Sequence, residues 1–328
     1  MTDRRGSSDT TPEAPSFQRQ ISLTGWALLI FTAAFVLFIA LSGWQDAVQA
    51  VAALGPFKLA ALSGLALAHY LVRALRWQIM VMTGEVHLPW KTNALYFFGG
   101  FSMIATPGRV GELIRLRWLM RATGLGFGRL LPIAFADRAI ELASMVGLIA
   151  LALAATNLGS VAVWWVLAAG LAVTWIACRP KLLLIVIKPF AVWWSPRLFI
   201  KLRRMTRRLD PFMRLRVFLP ILLIGMVGWA FEGVAFWLVL DWLGAGITLP
   251  TATAIFLVAV LSGALSGLPG GLGGTEATSV ALLLLQGVPF DIAVLATAII
   301  RVATLWFAVA IGFFTLPFAE AKSSEAAA

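Results

Sequence analysis

Long uninterrupted apolar runs constrain this chain more than any other feature. Nine such runs lie between residues 25 and 317. A helix needs about 20 apolar residues to cross the hydrocarbon core of a bilayer, and most of the runs reach or approach that length. The runs are continuous and do not alternate, which is typical of helical spans and not of transmembrane strands. The runs are 25–43, 57–82, 93–106, 130–154, 161–178, 218–240, 251–268, 277–286 and 292–317.

The composition argues against a water-soluble fold. Only 12% of the 328 residues are charged and 60% are hydrophobic, whereas about 25% of residues are charged in an average soluble domain. The single cysteine, Cys178, excludes an intrachain disulfide and a cysteine metal cluster, and the two histidines, His69 and His87, argue against a histidine metal site. We therefore expect an all-α, polytopic helical membrane protein with no metal and no other cofactor.

The basic residues predict the orientation of the chain. The segment 179–216 contains eleven lysines and arginines and one acid, Asp210, so it carries most of the net charge of +11. The positive-inside rule places this basic loop in the cytoplasm, where it favours contact with anionic lipid and not with nucleic acid. When the chain is threaded through the membrane, the other basic clusters fall on the same side. We therefore predict a multi-pass protein of the cytoplasmic (inner) membrane with both termini in the cytoplasm.

Two runs, 93–106 and 277–286, are too short to span, and each is joined to its neighbour by a loop rich in proline and glycine. We interpret 92–120 and 251–287 as re-entrant hairpins, in which two half-helices enter and leave on the same side. Irregular backbone at membrane depth persists only where it lines protein or a water-filled cavity. This interpretation gives six full spans and two hairpins. If each hairpin is counted as two spans, the chain has ten transmembrane helices and both termini are still cytoplasmic. The charge pattern does not distinguish these two models.

The remaining boundaries follow from the same pattern. The first run is longer than the apolar region of a signal peptide, so we expect an uncleaved first span. The segment that follows it contains no lysine or arginine and is predicted as an outer loop. The predicted divisions are a disordered cytoplasmic tail at 1–23, a single transmembrane domain at 24–317, an outer loop at 44–56 and a cytoplasmic tail at 318–328.

A short motif occurs twice. The first copy reads A-T-P-G-R-V-G-E at 105–112 and the second reads G-L-P-G-G-L-G-G-T-E at 267–276. Arg138 follows the proline of the first copy by 31 residues, and Arg301 follows that of the second by 32. In the predicted topology the two units run in opposite directions, as in secondary transporters built from inverted repeats with discontinuous helices. The units are 57–154 and 218–317.

The glycine loops and the charges within the apolar runs are the candidate binding residues. A half-helix that starts at membrane depth presents free N–H groups and a positive dipole end, which suit an anion such as a lipid phosphate. Thr275 is a plausible N-cap of that half-helix. Charged residues in spans are functional suspects, but the sequence also allows that they form only structural ion pairs. The loops could likewise be only tight turns, although a pair of inverted loops favours a site. The candidates are Gly108, Arg109, Gly111, Glu112, Asp137, Arg138, Glu141, Glu232, Gly270, Gly271, Gly273, Gly274, Thr275, Glu276 and Arg301.

One further charged group lies near the predicted cytoplasmic end of a span. His69, Arg73 and Arg76 fall on one helical face because they are spaced by four and three residues. We expect these three side chains to anchor the helix among the lipid headgroups and not to bind a ligand.

Three motifs together resemble the lysylphosphatidylglycerol synthase transmembrane-region family. They are T-P-G-R-V-G-E-L-I-R at 106–115, A-D-R-A-I-E-L at 136–142 and L-P-G-G-L-G-G-T-E at 268–276. The resemblance covers nearly the whole chain and implies a flippase-like membrane domain that moves anionic, aminoacylated or isoprenoid-linked lipids between leaflets. The chain stops at Ala328 and carries no aminoacyl-transferase domain, so we do not expect it to synthesise lysyl-lipid. The positions that match the family are Gly108, Arg109, Gly111, Glu112, Asp137, Arg138, Gly270, Gly271, Gly273, Gly274, Glu276 and Arg301.

Three functions stay open at this point. The first is a lipid flippase or lipid transporter whose partner is a membrane lipid with an anionic or phosphate-containing headgroup. The second is a non-transporting accessory protein that assists a separate enzyme of envelope lipid synthesis. The third is an intramembrane lipid-modifying enzyme, which the lack of a catalytic His, Ser or Cys set disfavours. No Walker A motif is present, so ATP is not expected to drive transport. The particular lipid, the energy source and the oligomeric state do not follow from the sequence.

Overall fold

The computed structural model describes residues 44–104, 113–156 and 207–326, together with 164, 165 and 168. The described residues form helices and no strand, which confirms the all-α prediction. Two short 3₁₀ turns, Gly100–Met103 and Pro269–Gly271, and a π-helical segment, Val302–Trp306, interrupt the pattern. The α-helices are α1 (Trp44–Thr83), α2 (Trp90–Gly99), α3 (Ile114–Thr123), α4 (Phe127–Ala154), α5 (Asp210–Met213), α6 (Leu215–Trp242), α7 (Leu249–Leu265), α8 (Gly274–Leu285), α9 (Phe290–Arg301) and α10 (Phe307–Glu325).

Three of the described helical stretches are long and apolar enough to cross a membrane. They are Leu54–Thr83 in α1, Leu215–Trp242 in α6 and Phe290–Glu325, which runs through α9 and α10. Helix α4 has 28 residues, but it carries three charged side chains near its centre. This supports the prediction of a helical membrane protein. The predicted tail 1–23 and the run 25–43 lie outside the described residues, as do most of the run 161–178 and of the basic loop.

The segment predicted as an outer loop, 44–56, is instead largely helical. Helix α1 begins at Trp44 and continues through a kink at Gly55, which has a φ of 70°. Pro56 follows directly, and a proline inside a helix removes one backbone hydrogen bond. The kink therefore marks the boundary that the sequence suggested, but the residues before it extend the helix and the loop prediction was wrong there.

The two predicted hairpins correspond to pairs of short helices. The second consists of α7, with 17 residues, and α8, with 12 residues. At 1.5 Å per residue α8 is about 18 Å long, which is shorter than the roughly 30 Å hydrocarbon core. Helices α2 and α3 of the first hairpin have 10 residues each. The tip of the first hairpin, at 105–112, lies outside the described residues.

The hairpins pack across the two halves of the chain. Helices α1 and α6 lie against one another, and each half contributes one of them. The first hairpin packs through α2 and Gly100–Met103 against α10, whereas the second packs through α7 against α4. Each hairpin therefore contacts the last helix of the other unit. Two large apolar clusters fill the interior, one around α1 to α4 and α10 and one around α6 to α9.

Candidate functional site

A cavity of about 190 Å³ lies between α4, α6, α7 and the loop of the second hairpin. Helix α4 contributes Arg138 and Glu141, and the second hairpin contributes Gly270, Gly271 and Thr275. The structure thus brings five of the predicted site residues together around one space. The rest of the wall consists of Leu142, Met145, Trp229, Val260, Leu261, Gly263, Ala264 and Leu268.

Arg301 fixes the loop of the second hairpin from the neighbouring helix. It is buried at the end of α9, and its Nε lies 2.6 Å from Oε1 of Glu276. Its Nη2 donates a hydrogen bond to the carbonyl oxygen of Gly270, at 2.8 Å. Arg301 therefore carries the structural ion pair that the sequence allowed, and it also holds the backbone that lines the cavity.

Helices α1 and α4 are joined by a buried network of ion pairs. Arg73 Nη2 lies 2.8 Å from Glu141 Oε1, and Arg76 Nη2 lies 2.8 Å from Asp137 Oδ1. Arg76 also donates a hydrogen bond to Glu141. Arg138 pairs with Asp137 at 2.9 Å, but its side chain is 37% exposed. The network therefore neutralises the two acids of α4, Asp137 and Glu141, while Arg138 remains partly exposed at the cavity.

The prediction that His69, Arg73 and Arg76 anchor the helix among headgroups was wrong. Their exposed fractions are 1%, 4% and 1%. The spacing did place them on one face of α1, as expected, but that face turns towards α4 and α6. Helical periodicity shows which side chains share a face, and only the packing of the helices shows what that face meets.

A second, smaller cavity of about 40 Å³ shares Trp229 of α6 and Val260 of α7 with the larger one. Its walls include Glu232, Arg301, His69 and Arg73. Glu232 Oε1 lies 3.5 Å from His69 Nε2, and both side chains are buried. Glu232 and Arg301, which were both predicted as site residues, thus meet here and not at the larger cavity.

Comparison with known proteins places the chain in a family. The family model for the lysylphosphatidylglycerol synthase TM region matches residues 25–312. The chain belongs to this family. Two UPF0104 membrane proteins of Methanothermobacter thermautotrophicus (strain Delta H) are similar over shorter stretches, with 32% identity over 107 residues and 28% over 102. These matches cover 33% and 31% of this chain and only 31% and 30% of the relatives.

In this member of the lysylphosphatidylglycerol synthase TM region family, α8 begins differently from the prediction. Its N-cap is Gly273, with a φ of 77°, and no side chain caps the helix. Gly274 is the first residue of the helix and Thr275 the second, so the assignment of Thr275 as the N-cap was wrong. A left-handed backbone at the cap favours glycine over threonine. Thr275 is buried against Gly263 and lines the cavity instead.

The first glycine loop, at 105–112, cannot be compared with the cavity. Gly108, Arg109, Gly111 and Glu112 all lie outside the described residues. Their assignment to the site therefore stays a prediction. Within the described residues, no group of three His, Cys, Asp or Glu side chains is arranged to hold a metal ion.

Sequence reasoning missed Trp229, although it lines both cavities. Most tryptophans of the chain lie near the ends of apolar runs, where membrane interfaces favour them. Trp229 lies instead in the middle of the run 218–240, three residues before Glu232. That position could have identified Trp229 as a candidate site residue, because a tryptophan and an acid three residues apart share a helical face.

Proposed function

We propose that this protein is an integral membrane lipid flippase or lipid transporter. It moves a lipid with an anionic, aminoacylated or isoprenoid-linked headgroup between the leaflets of the cytoplasmic membrane. The observation that carries the proposal is the larger cavity, where the partly exposed Arg138 faces the glycine loop of the second hairpin. A cation opposite irregular backbone at membrane depth is the arrangement expected of a binding site.

The headgroup is held by the cavity while the acyl chains stay in the bilayer. A space of about 190 Å³ is smaller than the 300–1,000 Å³ typical of sites that enclose a drug-sized ligand. It accommodates a phosphate group and its immediate substituents but not two acyl chains. Arg138 and the hydroxyl of Thr275 provide hydrogen-bond donors, and the first turn of α8 adds backbone N–H groups.

The architecture that we propose for transport is six full spans and two re-entrant hairpins in an inverted repeat. Two features support it: the short helices of both hairpins, and the packing of each hairpin against the last helix of the other unit. Movement of one unit against the other then opens the cavity towards one side of the membrane as it closes it towards the other. Rocking of inverted units around a central site is the usual mechanism of secondary transporters.

The decisive experiment is lipid movement in proteoliposomes. Purified protein is reconstituted with a fluorescent phosphatidylglycerol, and a membrane-impermeant reductant measures how much label moves between leaflets. We expect rapid exchange with the native protein and at least tenfold slower exchange with Arg138→Gln. The matched control is Arg129→Gln, which changes an arginine of the same helix whose side chain is 46% exposed and distant from the cavity. Equal rates for the two variants would contradict the role of Arg138.

The other two functions give different results in the same vesicles. Lipids extracted after the assay are expected to be chemically unchanged, and a modified headgroup would indicate an intramembrane enzyme. No exchange and no modification, together with a stable partner recovered from membranes, would indicate an accessory protein. Identification of the lipids that copurify with the protein would narrow the substrate class.

A further inference from the structure

Trp229 is the one residue that the two cavities share on α6. Together with Val260 of α7 it forms part of the wall of each cavity. Its side chain is 3% exposed, so it is held within the protein and not among lipid chains. Because both cavities border Trp229 and Val260, these two side chains lie between them.

The indole N–H of Trp229 has no acceptor within the part of the chain that the structure describes. Nearly all buried N–H groups in proteins donate a hydrogen bond, since leaving a donor unsatisfied costs free energy. One side of the ring is occupied by His69, whose ring centroid lies 4.8 Å away. The nitrogen atom is itself buried, so an acceptor in the cavity that Arg138 lines reaches it only when the ring turns towards that cavity.

We propose that Trp229 is a ligand-binding gate that donates its N–H to a phosphate oxygen of the lipid headgroup. This inference rests on the proposed function and adds a specific headgroup contact and a barrier to it. In the larger cavity the phosphate accepts hydrogen bonds from Arg138 and from Trp229. The indole ring meanwhile closes the route to the smaller cavity.

The smaller cavity is too small to hold the headgroup as long as the ring stays in place. About 40 Å³ holds roughly one or two water molecules and no headgroup. Its walls contain Arg73, which is paired with Glu141, Arg301, which is paired with Glu276, and the acid Glu232. Displacement of the indole ring joins this space to the larger cavity and brings the phosphate beside these ion pairs.

Binding to the detergent-solubilised full-length protein tests the contact directly, without any transport step. The probe is dioctanoyl phosphatidylglycerol. Trp229→Phe keeps the bulk of the gate but removes the donor, and we expect binding about tenfold weaker, as for the loss of one hydrogen bond to a charged group. Trp229→His restores a ring N–H and is expected to recover part of the affinity. The control, Trp90→Phe, changes a half-exposed tryptophan at the start of α2 and is expected to bind like the native protein.

Two further probes identify the source of the phosphate. Dioctanoylglycerol has the same chains without a phosphate and is expected to bind at least tenfold more weakly to the native protein and to be insensitive to Trp229→Phe. Inorganic phosphate supplies the anion without chains and is expected not to compete. If inorganic phosphate competes at the same concentration, the site is one for a free anion and the lipid contact is overturned. Unchanged phosphatidylglycerol binding by Trp229→Phe overturns the hydrogen bond.

Anion leak through protein reconstituted in vesicles tests whether the indole ring is a barrier between the two cavities. Trp229→Ala removes the ring, and we expect it to raise the leak of a small anion at least several-fold over Trp229→Phe. An equal leak for the two variants overturns the gate. If the native protein moves no lipid yet shows the binding pattern above, the proposed function fails while the headgroup contact stands. If it moves lipid and Trp229→Phe binds normally, the transport function stands and this inference fails.

Discussion

The arginines that pair with the acids of α4 differ in how deeply they are buried. Arg76 is 1% exposed and contacts two carboxylates, Asp137 and Glu141. Arg138 is 37% exposed on its side chain and lines the larger cavity. Removing one partner of a fully buried ion pair leaves an uncompensated charge, whereas a partly exposed side chain is solvated when its partner changes. Arg76 is therefore expected to maintain the fold and Arg138 to serve the site.

The first prediction compares these two arginines. Arg76→Gln is expected to lower the free energy of unfolding by about 3–5 kcal/mol, because it leaves the carboxylates of α4 without their buried cation. Arg138→Gln is expected to cost less than about 1 kcal/mol. Thermal unfolding of the purified variants in one detergent measures both. A loss of stability of the same size in the two variants would contradict this division.

The second prediction concerns the ion pair of Arg301 and Glu276. Arg301→Gln is expected to destabilise the protein by about 3–5 kcal/mol, since Glu276 is then buried without its cationic partner. Changing both residues to glutamine removes the uncompensated charge and is expected to recover much of this loss. The same unfolding measurement on both single variants and the double variant gives the coupling. Additive effects would show that the two side chains do not act as a pair.

At the level of helices and turns, each hairpin is held in place by a close contact between backbone atoms. In the second hairpin Gly263 of α7 packs against the loop and α8, and a Cβ atom there would lie 2.9 Å from the carbonyl oxygen of Gly271. Gly312 of α10 packs against the 3₁₀ turn of the first hairpin, and a Cβ atom on Gly312 would lie 2.8 Å from Cα of Ser102. Both hairpins therefore depend on a glycine that lets backbone approach backbone.

The third prediction tests this contact with a single methyl group. Gly263→Ala is expected to destabilise the protein by about 1–3 kcal/mol, because the added carbon overlaps both the loop and Thr275. Gly64→Ala is the matched control. Gly64 lies in α1, where a Cβ atom would meet nothing within 4 Å. That variant is expected to gain up to about 1 kcal/mol from its higher helix propensity. Similar unfolding temperatures for the two variants would refute the close contact.

In the molecule as a whole, each hairpin packs against the last helix of the other unit, and these contacts join the two units. The first hairpin lies against α10 and the second against α4, while α1 and α6 form the contact between the halves. Relative movement of the units therefore changes the surroundings of both hairpins at once. This coupling follows from the packing and requires no direct contact between the two glycine loops.

The fourth prediction separates re-entrant hairpins from full spans. Single cysteines are introduced into a Cys178→Ser background and labelled with an impermeant maleimide from each side of oriented vesicles. We expect Gly126→Cys to be labelled from the cytoplasmic side and Asp291→Cys from the outside. Leu268→Cys, at the tip of the second hairpin, is expected to be protected from the cytoplasmic side. Labelling of Leu268→Cys from the cytoplasm would mean that α7 and α8 each cross the membrane.

Sequence patterns predicted much of the described helical structure because hydrophobic length acts locally. The runs 57–82, 130–154, 218–240 and 292–317 correspond to long described helical stretches, and the runs 251–268 and 277–286 correspond to α7 and α8 to within a few residues. The kink at Gly55 and the cap at Gly273 were harder to predict, since a left-handed backbone depends on how the chain continues on both sides. Five of the predicted site residues line the larger cavity, but the sequence did not predict how they are arranged.

The sequence by itself determined that the chain forms apolar helices, which family it resembles and which residues are costly to bury. Those properties depend on composition and spacing along the chain. Only the tertiary structure decided that Arg73 and Arg76 neutralise Glu141, that Arg301 meets Glu276, and that Trp229 lies between two cavities. Helical periodicity fixes which side chains share a face, but the partner of that face depends on how helices distant in sequence pack together.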